Sequence, residues 1–441
     1  MANTTAPAHL APAIPEETSS ELQQRALRKA AWRLIPLLAL AYFFNYLDRT
    51  SVGYAALQMT GSLGLTAAQF GLGAGIMFVG YCLCEVPSNL AMYRFGARLW
   101  MARIMITWGI AAAATAFVIG PYSFYAVRLL LGIAEAGFFP GVIFFLTLWF
   151  PARYRTRVLA WFTMATPISF LVGGPLSIWL LQLHGIWGLE GWQWMFLIEG
   201  LPACILGLVT LRVLANRPEE AKWLSGEERL AIKEMIAQER AGTQENHGFR
   251  DALKDPRVWI LSLITFSFTL GTYGIGIWLP QMLKAQGVEF GMIGWIAAIP
   301  YFFSTLGLLI WAKHVDRTGK GILNLVLALV LGGLALIFAL NMSALIPALI
   351  GITLAMVGTI SAKTIFYTLP AKFLKGQAAA GGIALINSIG AFGGFVGPSL
   401  MGYLKEQTQS FTAGLMVMGC ILFAAALLSG SLRFFLKEER G

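Results

Sequence analysis

The chain has 441 residues, of which 57% are hydrophobic and 12% charged. Soluble domains carry charge at about a quarter of their positions, so this composition excludes a water-soluble globular fold and points to one embedded in a membrane. The formal net charge of +10 does not signal nucleic acid, because the basic residues are sorted by side rather than gathered into one binding face.

Residues 1–24 are rich in Ala, Pro, Thr and Glu, without an apolar core or cleavage site. They read as a disordered cytoplasmic tail and not as a signal peptide. A bilayer core about 30 Å thick takes about 20 apolar residues per helical crossing. Twelve stretches qualify, near 33–57, 67–92, 98–119, 122–149, 156–182, 192–214, 257–283, 290–312, 321–340, 344–370, 379–404 and 411–435. The predicted fold class is an all-α membrane protein, with twelve transmembrane helices in two six-helix bundles related by pseudo-two-fold symmetry. The bundles occupy 25–214 and 257–436, and 437–441 is a short cytoplasmic tail. Between them lies a polar linker, 215–256, in which Ser225 and Glu228 form a capping-box pattern. That box opens an amphipathic helix from Glu227 to Arg240 on the cytoplasmic face.

With the N-terminus in the cytoplasm, 27 of the 32 Lys and Arg residues fall on the cytoplasmic side. Such a skew orients membrane helices, so both termini are expected inside and the chain to be multi-pass in the cell (inner) membrane. Only Lys284 and Lys405 fall on the outer side, while Arg49, Arg128 and Lys363 lie within crossings. Cys82, Cys84, Cys204 and Cys420 all sit in apolar spans and read as packing residues, and the four histidines are scattered in tail or loops. No metal, no cofactor and no nucleic-acid partner are expected. Glycine clusters such as Gly71–Gly75 and Gly390–Gly394 suit close helix contact; lacking a preceding strand and a Lys-Ser/Thr pair, they are not phosphate loops.

An internal repeat supports two related halves. Arg94 and Gly96 after the second crossing answer to Arg317 and Gly319 after the eighth, and Gly174-Pro175 answers to Gly397-Pro398, all at one offset of 223 residues. Repeats of this kind place a substrate midway through the bilayer, between the halves.

Several ordered motifs then carry a resemblance. They are Asn45-Tyr-Leu-Asp48-Arg49; Pro87-Ser-Asn-Leu with Arg94-Phe-Gly-Ala-Arg98; Arg103 to Gly109; Arg128 to Pro140 around Glu135; Glu199 with Pro202; Arg217 to Leu224; and Asn387 with Gly393 to Pro398. Together they resemble the anion:cation symporter family of the major facilitator superfamily, in the branch of tartrate, phthalate and hydroxyphenylacetate permeases. The first half departs from the superfamily loop, because Met92-Tyr93 precede Arg94 where an Asp is usual; the second copy keeps Asp316. The resemblance implies proton-coupled uptake of a small organic anion by a monomer in a lipid bilayer, with H+ as the coupling ion. It further implies Glu135 and Asp48 as proton-coupling carboxylates, Arg49 as the substrate arginine, and Asn387, Tyr81 and Thr166 as substrate contacts.

Ionisable residues at mid-membrane cost a few kcal/mol and mark functional sites by default. Asp48 and Glu135 balance Arg49 and Arg128, which leaves Lys363 as excess positive charge suited to an anion. Arg128 and Glu135, seven apart, share a helix face but stand about 10 Å apart along it, and adjacent Asp48 and Arg49 project about 100° apart. An interlocked quartet across crossings 1 and 4 is therefore expected, with Arg128 holding the acids. The plainer alternative is a lock between those helices. Lys363 reads either as a second anion contact or as a side chain snorkelling to an interface. Arg94, Arg98, Asp316, Arg317 and Lys320 read as inner-gate charges that pair with helix ends in the outward-open state. A carboxylate uniporter or exchanger, and a receptor on the same scaffold, are the rival functions; no nucleophile–base pair or metal spacing supports an enzyme.

Overall fold

The computed structural model describes residues 19–241, 255–370 and 376–434. Most of the expected N-terminal tail, the end of the linker and residues 437–441 lie outside these. Among the described residues there is no strand. The long helices of the first half are α1 (Ser19–Ser62), α2 (Ala67–Phe95), α3 (Ala97–Ala114), α4 (Pro121–Glu135), α5 (Phe138–Trp149), α6 (Ala152–Thr163), α7 (Ala165–Leu181) and α8 (Gly191–Val213). After the linker helix α9 (Gly226–Ala241) come α10 (Pro256–Ala285), α11 (Phe290–Thr318), α12 (Gly321–Leu340), α13 (Leu345–Phe366), α14 (Gly376–Thr408) and α15 (Thr412–Ser431). Eleven stretches are long and apolar enough to span a bilayer, and α14 coincides with the remaining predicted crossing. Exposed apolar side chains such as Leu83, Ile119, Ile310 and Leu427 face outward, where lipid rather than water satisfies them.

Two differences from the sequence reading have local causes. First, α1 starts at Ser19, so residues 19–24 continue the helix instead of belonging to a tail. Its early turns are held by the linker, where Glu228 receives Lys29 Nζ at 2.9 Å and Arg25 Nε at 3.5 Å. Secondly, the fourth crossing is two helices. Ala136 takes ψ 132° and Gly137 φ +88°, a value that favours glycine. Pro140 lacks the N–H that would bond the Ala136 carbonyl, so a continuous helix would also leave that group unpaired. The linker helix α9 forms as expected and packs on the first bundle. Both bonds of the Ser225–Glu228 box form, at 2.8 and 3.1 Å, Ile232 is buried, and Trp223 stacks on Trp149 with ring centroids 5.6 Å apart.

The repeat has a physical counterpart. Gly96 and Gly319, the paired glycines, end α2 and α11 with φ of +86° and +65°. The bundles meet along α2 with α14, α7 with α11, and α1 with α10. Lipid supplies no hydrophobic drive between helices, so such seams depend on small residues that let backbones approach. A Cβ on Gly53 would meet the Ile277 carbonyl oxygen at 2.5 Å, and one on Gly174 would meet that of Gly294 at 2.5 Å. These two close approaches lie toward the end of the helices remote from the basic loops. There Lys284 Nζ also donates to the Leu57 carbonyl across the seam at 3.1 Å. Toward the basic end, Arg94, Arg98, Asp316, Arg317 and Lys320 are exposed. At the end remote from the basic loops the bundles are thus closed.

Candidate functional site

The 100° step between neighbouring residues on α1 sends Asp48 and Arg49 in different directions. Arg49 points to α4, where its Nε donates to Glu135 Oε1 at 2.6 Å and its Nη2 donates to the same oxygen. Glu135 is the last residue of α4, fully buried, whereas the Arg49 side chain keeps 12% exposure. The helix break after Glu135 thus lies at the pair, in protein interior, where irregular backbone is tolerated at membrane depth. Glu135 Oε2 has no partner.

The guanidinium of Arg49 is framed by aromatic rings, with centroids at 5.4 Å for Tyr46, 5.1 Å for Tyr81 and 6.0 Å for Phe78. Its Nη1 lies 3.5 Å from the hydroxyl oxygen of Tyr273 on α10. One arginine of the first bundle therefore touches the second.

Asp48 turns instead toward α3 and accepts from Trp108 Nε1 at 2.7 Å, with its Oδ1 unpartnered. Arg128 is buried at 1% exposure. Its Nη2 reaches Met77 Sδ at 3.4 Å, while Nε and Nη1 find no partner. The expected interlocked quartet is thus corrected to one direct pair, Arg49–Glu135, beside an acid and a base that do not bond each other. The cause is the angular offset on α1, which gives Asp48 to a tryptophan the sequence reading did not single out. Trp108 stands within the Arg103–Gly109 motif, and an indole donor beside a buried carboxylate was the available signal.

The remaining candidates divide. Tyr81 is half-buried against Arg49, and Asn387 on α14 accepts from the Tyr367 hydroxyl at 3.0 Å. Thr166 is half-buried near the start of α7, one turn before Phe170, whose ring meets Tyr46 at 5.5 Å and Tyr301 at 4.5 Å. Lys363 on α13 is exposed, one turn before Tyr367. Glu199 bonds Ser177 Oγ at 3.0 Å and ties α8 to α7. Of the inner-gate set, Arg98 is engaged within its own half, donating to the Leu211 carbonyl at 2.7 Å. Tyr46, Tyr273 and Tyr367 were not anticipated, because tyrosines are ordinary in membrane helices and only their convergence distinguishes them.

A cavity of about 530 Å³ lies elsewhere, at the closed end between Leu57, Lys284, Leu340, Lys405 and Phe411. It contains none of the paired acids and bases, so its size does not make it the centre of charge chemistry.

Comparison with known proteins fits this arrangement. The family model described as Major Facilitator Superfamily matches residues 38–398. A protein of Agrobacterium vitis named as a tartrate transporter is 47% identical over 412 residues, covering 93% of this chain and 92% of the relative. A quinolone resistance transporter of Acinetobacter baumannii is 40% identical, covering 93% and 95%. Among solved structures, the xylose transporter XylE of E. coli superposes with a TM-score of 0.74 at 14% identity, covering 93% of this chain and 97% of that one. The chain belongs to the Major Facilitator Superfamily, and its relatives accord with the anion:cation symporter branch that its motifs resemble.

Proposed function

We propose that this transporter carries a small organic anion into the cell together with protons, by alternating access. The observation that supports it most is the Arg49–Glu135 pair, a fully buried carboxylate held by an arginine that also reaches Tyr273 of the second bundle. A guanidinium fork suits a carboxylate bidentately. When a substrate carboxylate takes Glu135's place on Arg49, a buried acid loses its cation and takes up a proton. Anion and proton then bind together. Glu135 is the first proton site and Asp48 the second, with Arg128 as the charge partner both acids face. Tyr81, Asn387, Thr166 and Lys363 complete the binding surface. By the positive-inside rule the basic end is cytoplasmic, and so are both termini. Arg94, Arg98, Asp316, Arg317 and Lys320 then close that end in the outward-open state. The name of the Agrobacterium vitis relative supports a carboxylate as cargo.

Reconstitution tests this with labelled tartrate and other carboxylates. The Glu135→Gln variant is expected to keep counterflow exchange and to lose accumulation driven by a pH gradient. Accumulation by that variant at wild-type levels removes Glu135 from coupling. A wild type that exchanges carboxylates but ignores the pH gradient is a uniporter or exchanger.

A further inference from the structure

The two basic residues on the outer side, Lys284 and Lys405, meet at one cavity, the space of about 530 Å³ at the closed end. Every other Lys or Arg reads as cytoplasmic or within a crossing, so both outer lysines run against the bias that orients the helices. Residues that line the cavity fix their ammonium groups. Lys284 Nζ donates to the Leu57 carbonyl at 3.1 Å, and Lys405 Nζ donates to Gln281 Oε1 at 3.1 Å. Lys405 Nζ also lies 4.5 Å from the Phe411 ring centroid and 4.9 Å from that of Trp278. Leu57, Gln281 and Phe411 border the cavity, as do both lysines. An ammonium has three N–H donors, so each lysine has donors to spare.

Among the described residues neither lysine is in an ion pair, and no Asp or Glu borders the cavity. Of the acids nearest in the chain, Glu406 gives its carboxylate to the Ala68 amide, and Glu289 is exposed before the first turn of α11. Two ammonium groups without an acid make the space electropositive, and apolar walls such as Leu340, Leu345 and Ile352 focus that field. A water takes about 30 Å³ of liquid, so the volume admits a small oxyanion with part of its hydration.

The walls come from both bundles. Ala56, Leu57 and Thr60 belong to α1, and the other lining residues to the second half. Opening of the outer end carries α1 away from α10 and removes one wall. A ligand that fits the assembled walls alone binds the closed form and shifts the population toward it.

We infer that this cavity is a second anion site, for a small oxyanion on the outer side, and that an anion held there keeps the outer end shut. The site is separate from Arg49, so it does not depend on the carboxylate-transport reading. A free anion and a lipid headgroup phosphate offer it the same chemistry.

The test uses sulfate as the probe. In calorimetric titration of the purified full chain, sulfate should bind saturably to the wild type and about tenfold or more weakly to Lys405→Gln, the size of one charge-assisted hydrogen bond. The contacts of Lys405 given above all lie within the second bundle, so this variant leaves the seam itself intact, and Lys405→Arg should retain binding. In proteoliposomes of a Ser399→Cys variant without native cysteines, sulfate, compared with chloride at equal ionic strength, should slow labelling by an impermeant maleimide from the outer side by about two- to fivefold. Adding Lys405→Gln should remove that slowing. Displacement of sulfate by phosphatidylglycerol assigns the site to a lipid phosphate, and no displacement assigns it to a free anion. No saturable sulfate binding, or equal affinity in Lys405→Gln, overturns the site; labelling indifferent to sulfate overturns its hold on the outer end.

Discussion

The carboxylate of Glu406, near the end of α14, accepts the backbone amide of Ala68 in the first turn of α2 at 2.8 Å, so one bundle caps a helix of the other. The first amides of a helix have no partner within it and carry its positive end, which favours an anion there. Thr66 serves the next free amide, that of Gln69, at 3.2 Å. Lys284 on Leu57 is the companion contact. Both polar bridges exist only while the outer seam is shut.

Glu406→Ala is accordingly expected to favour opening of that end. In a background without native cysteines, Ser399→Cys places a thiol at the seam, where the Ser399 hydroxyl donates to the Gly71 carbonyl at 3.4 Å. Labelling of that thiol by an impermeant maleimide from the outer side should quicken by about two- to fivefold in the Glu406→Ala background. An unchanged rate would show that the cap does not bias the equilibrium.

Arg49 makes a two-point contact with Glu135 that an ammonium cannot copy. Arg49→Lys should therefore lower carboxylate uptake by about tenfold or more, and Arg49→Gln should abolish it. Initial rates in proteoliposomes measure this. Wild-type uptake by Arg49→Gln removes the arginine from cargo recognition.

Trp108 supplies the hydrogen bond that Asp48 accepts, and both residues are buried. Trp108→Phe keeps most of the ring and leaves both carboxylate oxygens unpartnered. The expected destabilisation is about 1–3 kcal/mol, read as a lower midpoint of thermal unfolding in detergent. Asp48→Asn in the same background should recover part of the loss, since a neutral amide is less costly to bury.

The linker offers a pH dependence outside the membrane. Burial raises the Glu228 carboxyl, but the Ser225 amide, the Lys29 ammonium and the Arg25 guanidinium outweigh it and hold it below the usual 4.5. A depressed carboxyl stabilises the docked form above the unfolded value and loses that contribution as pH falls through the folded value. Docking of α9 on α1 should thus be intact at neutral pH and loosen below about pH 4.5. Hydrogen-exchange protection factors over 226–241, corrected for the intrinsic rate at each pH, check it, and Glu228→Gln at neutral pH should reproduce the loss of protection expected in acid.

Much of this molecule is one-dimensional information. Lengths of apolar stretch dictate crossings, because each backbone amide must be satisfied inside its own helix. The sidedness of Lys and Arg orients them, and the common offset of Gly96 with Gly319 announces two related halves. The break in the fourth crossing is also legible, in Gly137 and Pro140. Which buried charges meet was not legible. Asp48 and Arg49 are neighbours in the chain, and only the packing of α3 and α4 around α1 decided that one would take an indole and the other a carboxylate. Likewise nothing in the order of residues joins Arg49 to Tyr273 or Glu406 to Ala68. Those relationships arise between helices far apart in sequence, where the angle at which two surfaces cross sets the partner, and residue spacing along one helix does not encode that angle.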